Sequence, residues 1–168
     1  MHSVYEEGPF KSCTVCGETL SDGRLYEIQK VYRGKEVIFE MAVCHSCGEN
    51  VSREFSEESF ESVKQFLSDN FRPSGSTVDS EDKDLYIPQH CQFCGFPRTL
   101  VENYTIVGAC LEHSLIWPSI MMCENCSEQL QTKLSVKTRD AQGDFIRDHF
   151  PGIPSDLDLS PSFSGIFG

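Results

Sequence analysis

Long apolar runs are missing from this chain, and none approaches the ~18 residues needed to span a bilayer. The opening stretch, Met1-His2-Ser3-Val4-Tyr5-Glu6-Glu7, has neither a basic n-region nor an apolar h-region, so no export signal is expected there. Basic residues are scarce as well. Fourteen Lys and Arg stand against 26 Asp and Glu, for a formal net charge of −12. Phosphate backbones are held mainly by cations that displace counterions, so this deficit argues against general nucleic-acid binding. Histidine is thin where metal chemistry would need it. None lies between Cys16 and Cys44, only His113 lies between Cys94 and Cys123, and no His-x-Glu occurs. One histidine cannot supply a general base and metal ligands together. The zinc-deaminase pattern needs a Pro ahead of its Cys-x-x-Cys, and Met122 precedes Cys123. The expectation is a protein that is not an enzyme.

Cysteine, by contrast, is plentiful: nine in 168 residues. Without export these thiols meet a reducing cytoplasm, where grouped cysteines hold metal more often than they form disulfides. They fall into a repeat. Cys13-Thr-Val-Cys16-Gly17 returns 78 residues later as Cys91-Gln-Phe-Cys94-Gly95, and Tyr26-Glu-Ile28 as Tyr104-Thr-Ile106. At an offset of 79, Cys44-His-Ser-Cys47 returns as Cys123-Glu-Asn-Cys126, and Phe66–Phe71 as Phe145–Phe150. Four matches in register point to duplication. The extra residue is expected in the second hairpin turn. This divides the chain into a first module (1–71), a Pro/Gly/Ser/acid-rich linker (72–90), a second module (91–150) and a flexible tail (151–168).

Each module reads in the same order, giving an α+β class. A CxxCG knuckle comes first, its glycine free to take positive φ. Two strands follow, roughly 24–32 and 36–43, then 102–110 and 115–122. Val37, Phe39, Met41 and Val43 alternate with Ile38, Glu40 and Ala42, as in a strand with one buried face. A helix then carries the second CxxC, with Val51 and Phe55, or Leu130 and Leu134, four apart. An added helix begins at Ser56 as N-cap, with Glu57 and Glu58 in its first turn. In the second module Gly143 interrupts this pattern, so only a short helix is expected over 144–150. Phe66, Leu67 and Phe71, with Phe145, Ile146 and Phe150, are the expected packing residues if the modules pair about a pseudo-twofold axis.

Sixty residues rarely stabilise a core without a staple. Two CxxC pairs separated by 27 and 28 residues supply one. Zn²⁺ takes four thiolates in a tetrahedron. The ligand sets are therefore Cys13, Cys16, Cys44, Cys47 and Cys91, Cys94, Cys123, Cys126, holding two structural Zn²⁺. Four thiolates per metal would carry the folded protein to about −16. The order knuckle, hairpin, ligand-bearing helix resembles the treble-clef zinc fold over Cys13–Phe55 and Cys91–Leu134. That resemblance implies a fold but no single function. HNH nucleases place a histidine-rich motif on such a hairpin, which the histidine count here rules against. A second resemblance is to rubredoxin, whose two knuckles hold iron for electron transfer. Cys13–Gly17 and Cys44–Gly48 fit it, but the helix expected from Cys123 does not.

The remaining candidates are weaker. His45 and His90 adjoin ligand cysteines, but four thiolates already complete each tetrahedron. Cys110 ends an apolar strand with no base beside it and reads as a buried hydrophobe. Trp117, followed by Pro118, suits either core or an edge-strand contact. Phe163, Ile166 and Phe167 give the tail the apolar spacing of a docking peptide. The expected function is a cytoplasmic, non-catalytic adaptor or regulatory module that binds another protein with a basic surface. The alternative is a nucleic-acid-binding or transcription-related zinc protein using Lys133, Lys137 and Arg139. Rubredoxin-like electron transfer comes third.

Overall fold

The computed structural model describes residues 2–21, 23–73, 87–116 and 118–150. Within them the chain is mixed helix and antiparallel sheet. A small N-terminal pair, β1 (His2–Ser3) and β2 (Gly8–Pro9), precedes the hairpin β3 (Leu25–Arg33) and β4 (Glu36–Cys44). Helices α1 (His45–Arg53) and α2 (Glu57–Asn70) follow. The second half passes through a 3-10 turn (Arg98–Leu100) into β5 (Asn103–Leu111), β6 (Ser114–Leu115) and β7 (Ile120–Cys123), then α3 (Glu124–Gln131) and α4 (Val136–His149).

The two hairpins fuse into one five-stranded sheet. β3 lies antiparallel beside β5 over nine pairs, from Leu25 opposite Leu111 to Arg33 opposite Asn103. Gln29 and Val107, 78 residues apart in sequence, face each other at the centre of this ladder. Two antiparallel strands paired on such equivalent residues are related by an approximate twofold axis between them. Both faces of the sheet are covered, not one. Val31, Phe39 and Met41 share one buried face; Tyr26, Ile28 and Ala42 share the other, under Phe10 and Leu20.

The added helices cross over. α2, from the first half, lays Val63 and Phe66 on the second half's Phe93, Cys91, Cys126 and Leu130. α4 lays Phe145, Ile146 and Phe150 on the first half's core, with Phe150 edge-on to Phe39 at 5.0 Å. After α2, the Arg72 N–H donates to the Gln92 carbonyl at 2.7 Å. The packing residues named from sequence do pack, but each set packs on the opposite half's core and not on the other set. Where the helices start, their caps interlock. Ser56 and Ser135 are the N-caps, with their hydroxyls 2.8 Å apart. The Ser56 N–H donates to Thr138 Oγ1 (3.0 Å), and the Ser135 N–H donates to Ser59 Oγ (2.9 Å).

Two sequence expectations need correction. α4 runs unbroken through Gly143 for 14 residues. The ~1 kcal/mol that glycine costs a helix is outweighed by the Ser135 cap and the packing of the half-buried Phe145 and Ile146. The extra residue is not in the turn, because both turns hold two residues, Gly34-Lys35 and Glu112-His113. It lies instead between Leu115 and Ile120, where the pairing with β5 passes from β6 to β7. Pro118, which lacks an N–H for the ladder, falls in that gap.

Candidate metal centres

Each cysteine tetrad is assembled by the same local devices. The knuckle closes when the Gly17 N–H donates to Cys13 O, and Gly95 to Cys91 O, both at 2.9 Å. Both glycines sit at φ 73°, a conformation costly for any residue with a Cβ. The knuckle then hangs from the return strand. The Thr14 N–H donates to Ala42 O (2.8 Å) and the Gln92 N–H to Met121 O (3.1 Å). The second pair sits where strand becomes helix: Cys44 and Cys123 are the N-caps of α1 and α3. Cys47 and Cys126 follow in the first turn, so both tetrads meet the positive end of a helix dipole.

All four sulfurs of each set lie within 4.8 Å of one another. Cys16 and Cys44 sulfurs are 3.9 Å apart, Cys91 and Cys126 3.8 Å, Cys94 and Cys123 3.6 Å. A tetrahedron with metal–sulfur bonds of ~2.3 Å requires edges of about 3.8 Å, so the geometry fits one ion per set. These separations are far beyond the ~2.05 Å of a disulfide. Backbone amides support the sulfurs: the Cys44 N–H points to Cys13 Sγ at 3.3 Å, and Cys123 N–H to Cys91 Sγ at 3.5 Å.

Thiol electrostatics favour a cation. Burial pushes the Cys13 thiol up, but amides of Cys44, Cys16 and Val15 overcome it and hold it at about 7, against an ordinary 9.0. Hydrogen bonds from the Cys123 and Cys126 thiols hold Cys91 down. Their neighbours move the other way: burial raises Cys44 and Cys47, and thiol hydrogen bonds raise Cys126. Four sulfurs this close cannot all be anions unaided, and a dication removes that conflict.

Compared with known proteins, the chain matches no family model, no curated protein and no solved structure.

Among the described residues these two tetrads are the only groups of metal-binding side chains drawn together. His45 is instead within 3.7 Å of Glu49, and His90 is exposed. Cys110 is fully buried in the core, as its surroundings implied. Lys133, Lys137 and Arg139 are exposed. Trp117, Phe163, Ile166 and Phe167 lie outside the described residues. No helix among those described is long and apolar enough to cross a membrane.

Several buried polar contacts had no clear sequence signal. The Lys30 ammonium and Glu40 carboxylate meet at 2.8 Å across β3 and β4, with side chains 6% and 3% exposed. Ser3 Oγ and the Val4 N–H also donate to Glu40. At one end of the β3–β5 ladder Tyr32 stacks on Tyr104 at 4.8 Å, and at the other end Tyr26 OH meets His113 Nδ1 at 3.2 Å. Only the alternation of Lys30 and Glu40 with apolar neighbours could have hinted that opposite charges share one face.

Proposed function

We propose that the protein is a non-catalytic adaptor or regulatory module in which two structural zinc ions set a rigid acidic scaffold for a basic protein partner. The observation that carries this reading is the closure of both tetrads. Catalytic zinc keeps a position open for water, and four cysteines leave none. Zinc suits the all-sulfur sets, and the knuckle–hairpin–helix order of each half is consistent with a treble-clef arrangement arising by duplication. The excess of acid over base lies in both halves: 11 against 6 in residues 13–71, and 7 against 5 in residues 91–150. Opposite fields speed association with a basic surface and repel phosphate backbones.

Elemental analysis of protein purified without added metal is expected to give about two Zn per chain, as two closed sites require. A value near one, or an iron–thiolate absorption band, sinks the zinc reading and promotes the electron-transfer alternative. A pull-down from native cytosol should return a partner whose retention falls with salt. At ~150 mM salt, where the Debye length is ~8 Å, a gel shift with duplex DNA or RNA should show no binding. Submicromolar binding there would transfer the function to the nucleic-acid alternative, with Lys133, Lys137 and Arg139 as the first residues to test.

A further inference from the structure

The two halves pack their crossing helices unequally, and the difference leaves a cleft. In the second half the space between α3 and α2 is full. Phe93 stacks against Phe66 at 5.6 Å and touches Phe71 at 5.8 Å, and Phe93, Phe66, Val63 and Leu130 are all buried. At the matching places between α1 and α4, smaller or polar residues stand: Val15 for Phe93, Val51 for Leu130 and Gln142 for Val63. Phe145, which corresponds to Phe66, turns to His149 and Phe150 instead, at 5.0 and 5.9 Å. Val15, Val51 and Phe145 are left half-buried along a cleft of about 780 Å³ beside Cys47.

The rim of the cleft is acidic. Glu54 stands on the α1 side, Asp140 and Asp144 on the α4 side, against one cation, Lys137. Arg147 pairs with Asp144 at the surface, where both side chains are mostly exposed and the pair is weak. A metal-bound thiolate set beside Cys47 adds negative charge.

We propose that this cleft is the partner-docking site, and that its occupant is a peptide segment presenting an aromatic side chain flanked by Lys or Arg. The aromatic ring takes the volume that Phe93 fills in the other half, and the flanking cations meet Glu54, Asp140 and Asp144. Charge selects this occupant over the chain's own tail, whose Asp156 and Asp158 would meet an acidic rim. Seating an aromatic anchor in a half-formed apolar pocket is the usual source of binding energy at small interfaces. The inference rests on the adaptor reading and locates its contact surface.

The test is panning of a phage-displayed random dodecapeptide library on the full chain. Enriched peptides should carry Phe, Tyr or Trp beside Lys or Arg. Val15→Phe, which copies the filled half, should weaken them about tenfold or more, the scale of losing one anchor. Asp140→Lys with Asp144→Lys, both on the exposed rim, should weaken them and flatten their salt dependence, and this holds even if Val15→Phe disturbs folding. Acidic or non-aromatic peptides, or no enrichment, overturn the proposal. Basic peptides that bind all variants equally overturn the cleft but leave the adaptor reading, which the salt-sensitive pull-down tests separately. Tighter peptide binding after removal of 151–168 assigns the cleft to the tail, and a dimer dissolved by Val15→Phe assigns it to a second copy; either also overturns the proposal.

Discussion

Glu40 carries a burden out of proportion to its size. Its carboxylate is nearly enclosed with the Lys30 ammonium, and Ser3 and the Val4 amide complete its hydrogen bonds. Lys30 also lies over the Phe10 ring, 5.7 Å from its centre. Removing one member of such a pair strands the other charge, which costs about 3–5 kcal/mol. Glu40→Gln should therefore lower the thermal midpoint at pH 7 sharply, by differential scanning calorimetry. Replacing both residues, Lys30→Met with Glu40→Leu, should recover most of the loss. An unchanged midpoint for the single variant would mean that water reaches Lys30. Burial opposes ionisation of Glu40, but Lys30, Ser3 and Val4 overcome it and hold the carboxyl below its ordinary 4.5. A carboxyl depressed on folding contributes stability above its unfolded value. That contribution is complete above about pH 4.5 and is lost as pH falls through the lower folded value, and it should be missing from Glu40→Gln.

The crossing helices depend on their first turns and on one weak position. Ser135 caps α4 and also bonds Ser56 and Ser59 of α2, so Ser135→Ala breaks contacts in both helices. A cap alone is worth about 1 kcal/mol, and Ser135→Ala should exceed that in urea unfolding. In a double-mutant cycle with Ser56→Ala the two changes should couple by at least ~0.5 kcal/mol. Strict additivity would show that the two caps act independently. Gly143 is the opposite case. Nothing lies within 4 Å of a Cβ built there, and its φ is not positive. Gly143→Ala should raise stability by about 0.4–1 kcal/mol through the unfolded chain. A loss would mean that α4 bends at this residue in solution.

At the scale of the molecule, the crossing of α2 and α4 ties each cysteine set to the other half. A first half that unfolds withdraws Val63 and Phe66 from the second half's core, at ~1.5–3 kcal/mol for each side chain re-exposed. Viewed as separate modules, Cys16→Ser would free one metal and leave the other in place. The intertwined packing predicts instead that both metals loosen. Native mass spectrometry of Cys16→Ser should show loss at the first site and faster chelator extraction from the second. Thermal unfolding of the metal-loaded protein should be a single transition. Retention of the second metal at wild-type rate, or two separate transitions, would show that the halves are energetically independent.

The eight cysteines, their spacing and the 78–79-residue offset could all be read from the chain. A metal knuckle is a local event: Cys-x-x-Cys-Gly bends the same way wherever it occurs, and the next strand and helix follow from nearby periodicity. The Ser56 cap and the buried Cys110 were legible for the same reason. What the chain could not show is which half a helix would pack against. Phe66 and Phe145 announce apolar stripes, but a stripe carries no address. The choice is made where β3 meets β5, because pairing at Gln29 and Val107 puts the two helix starts together and sends each helix over the other half. The buried Lys30–Glu40 pair is likewise a product of strand register, and the continuous α4 owes its passage through Gly143 to partners far along the chain. The cleft is the clearest case. Val15 and Phe93 are ordinary residues in sequence, and only the near-symmetry of the packed halves shows that one leaves a space the other fills.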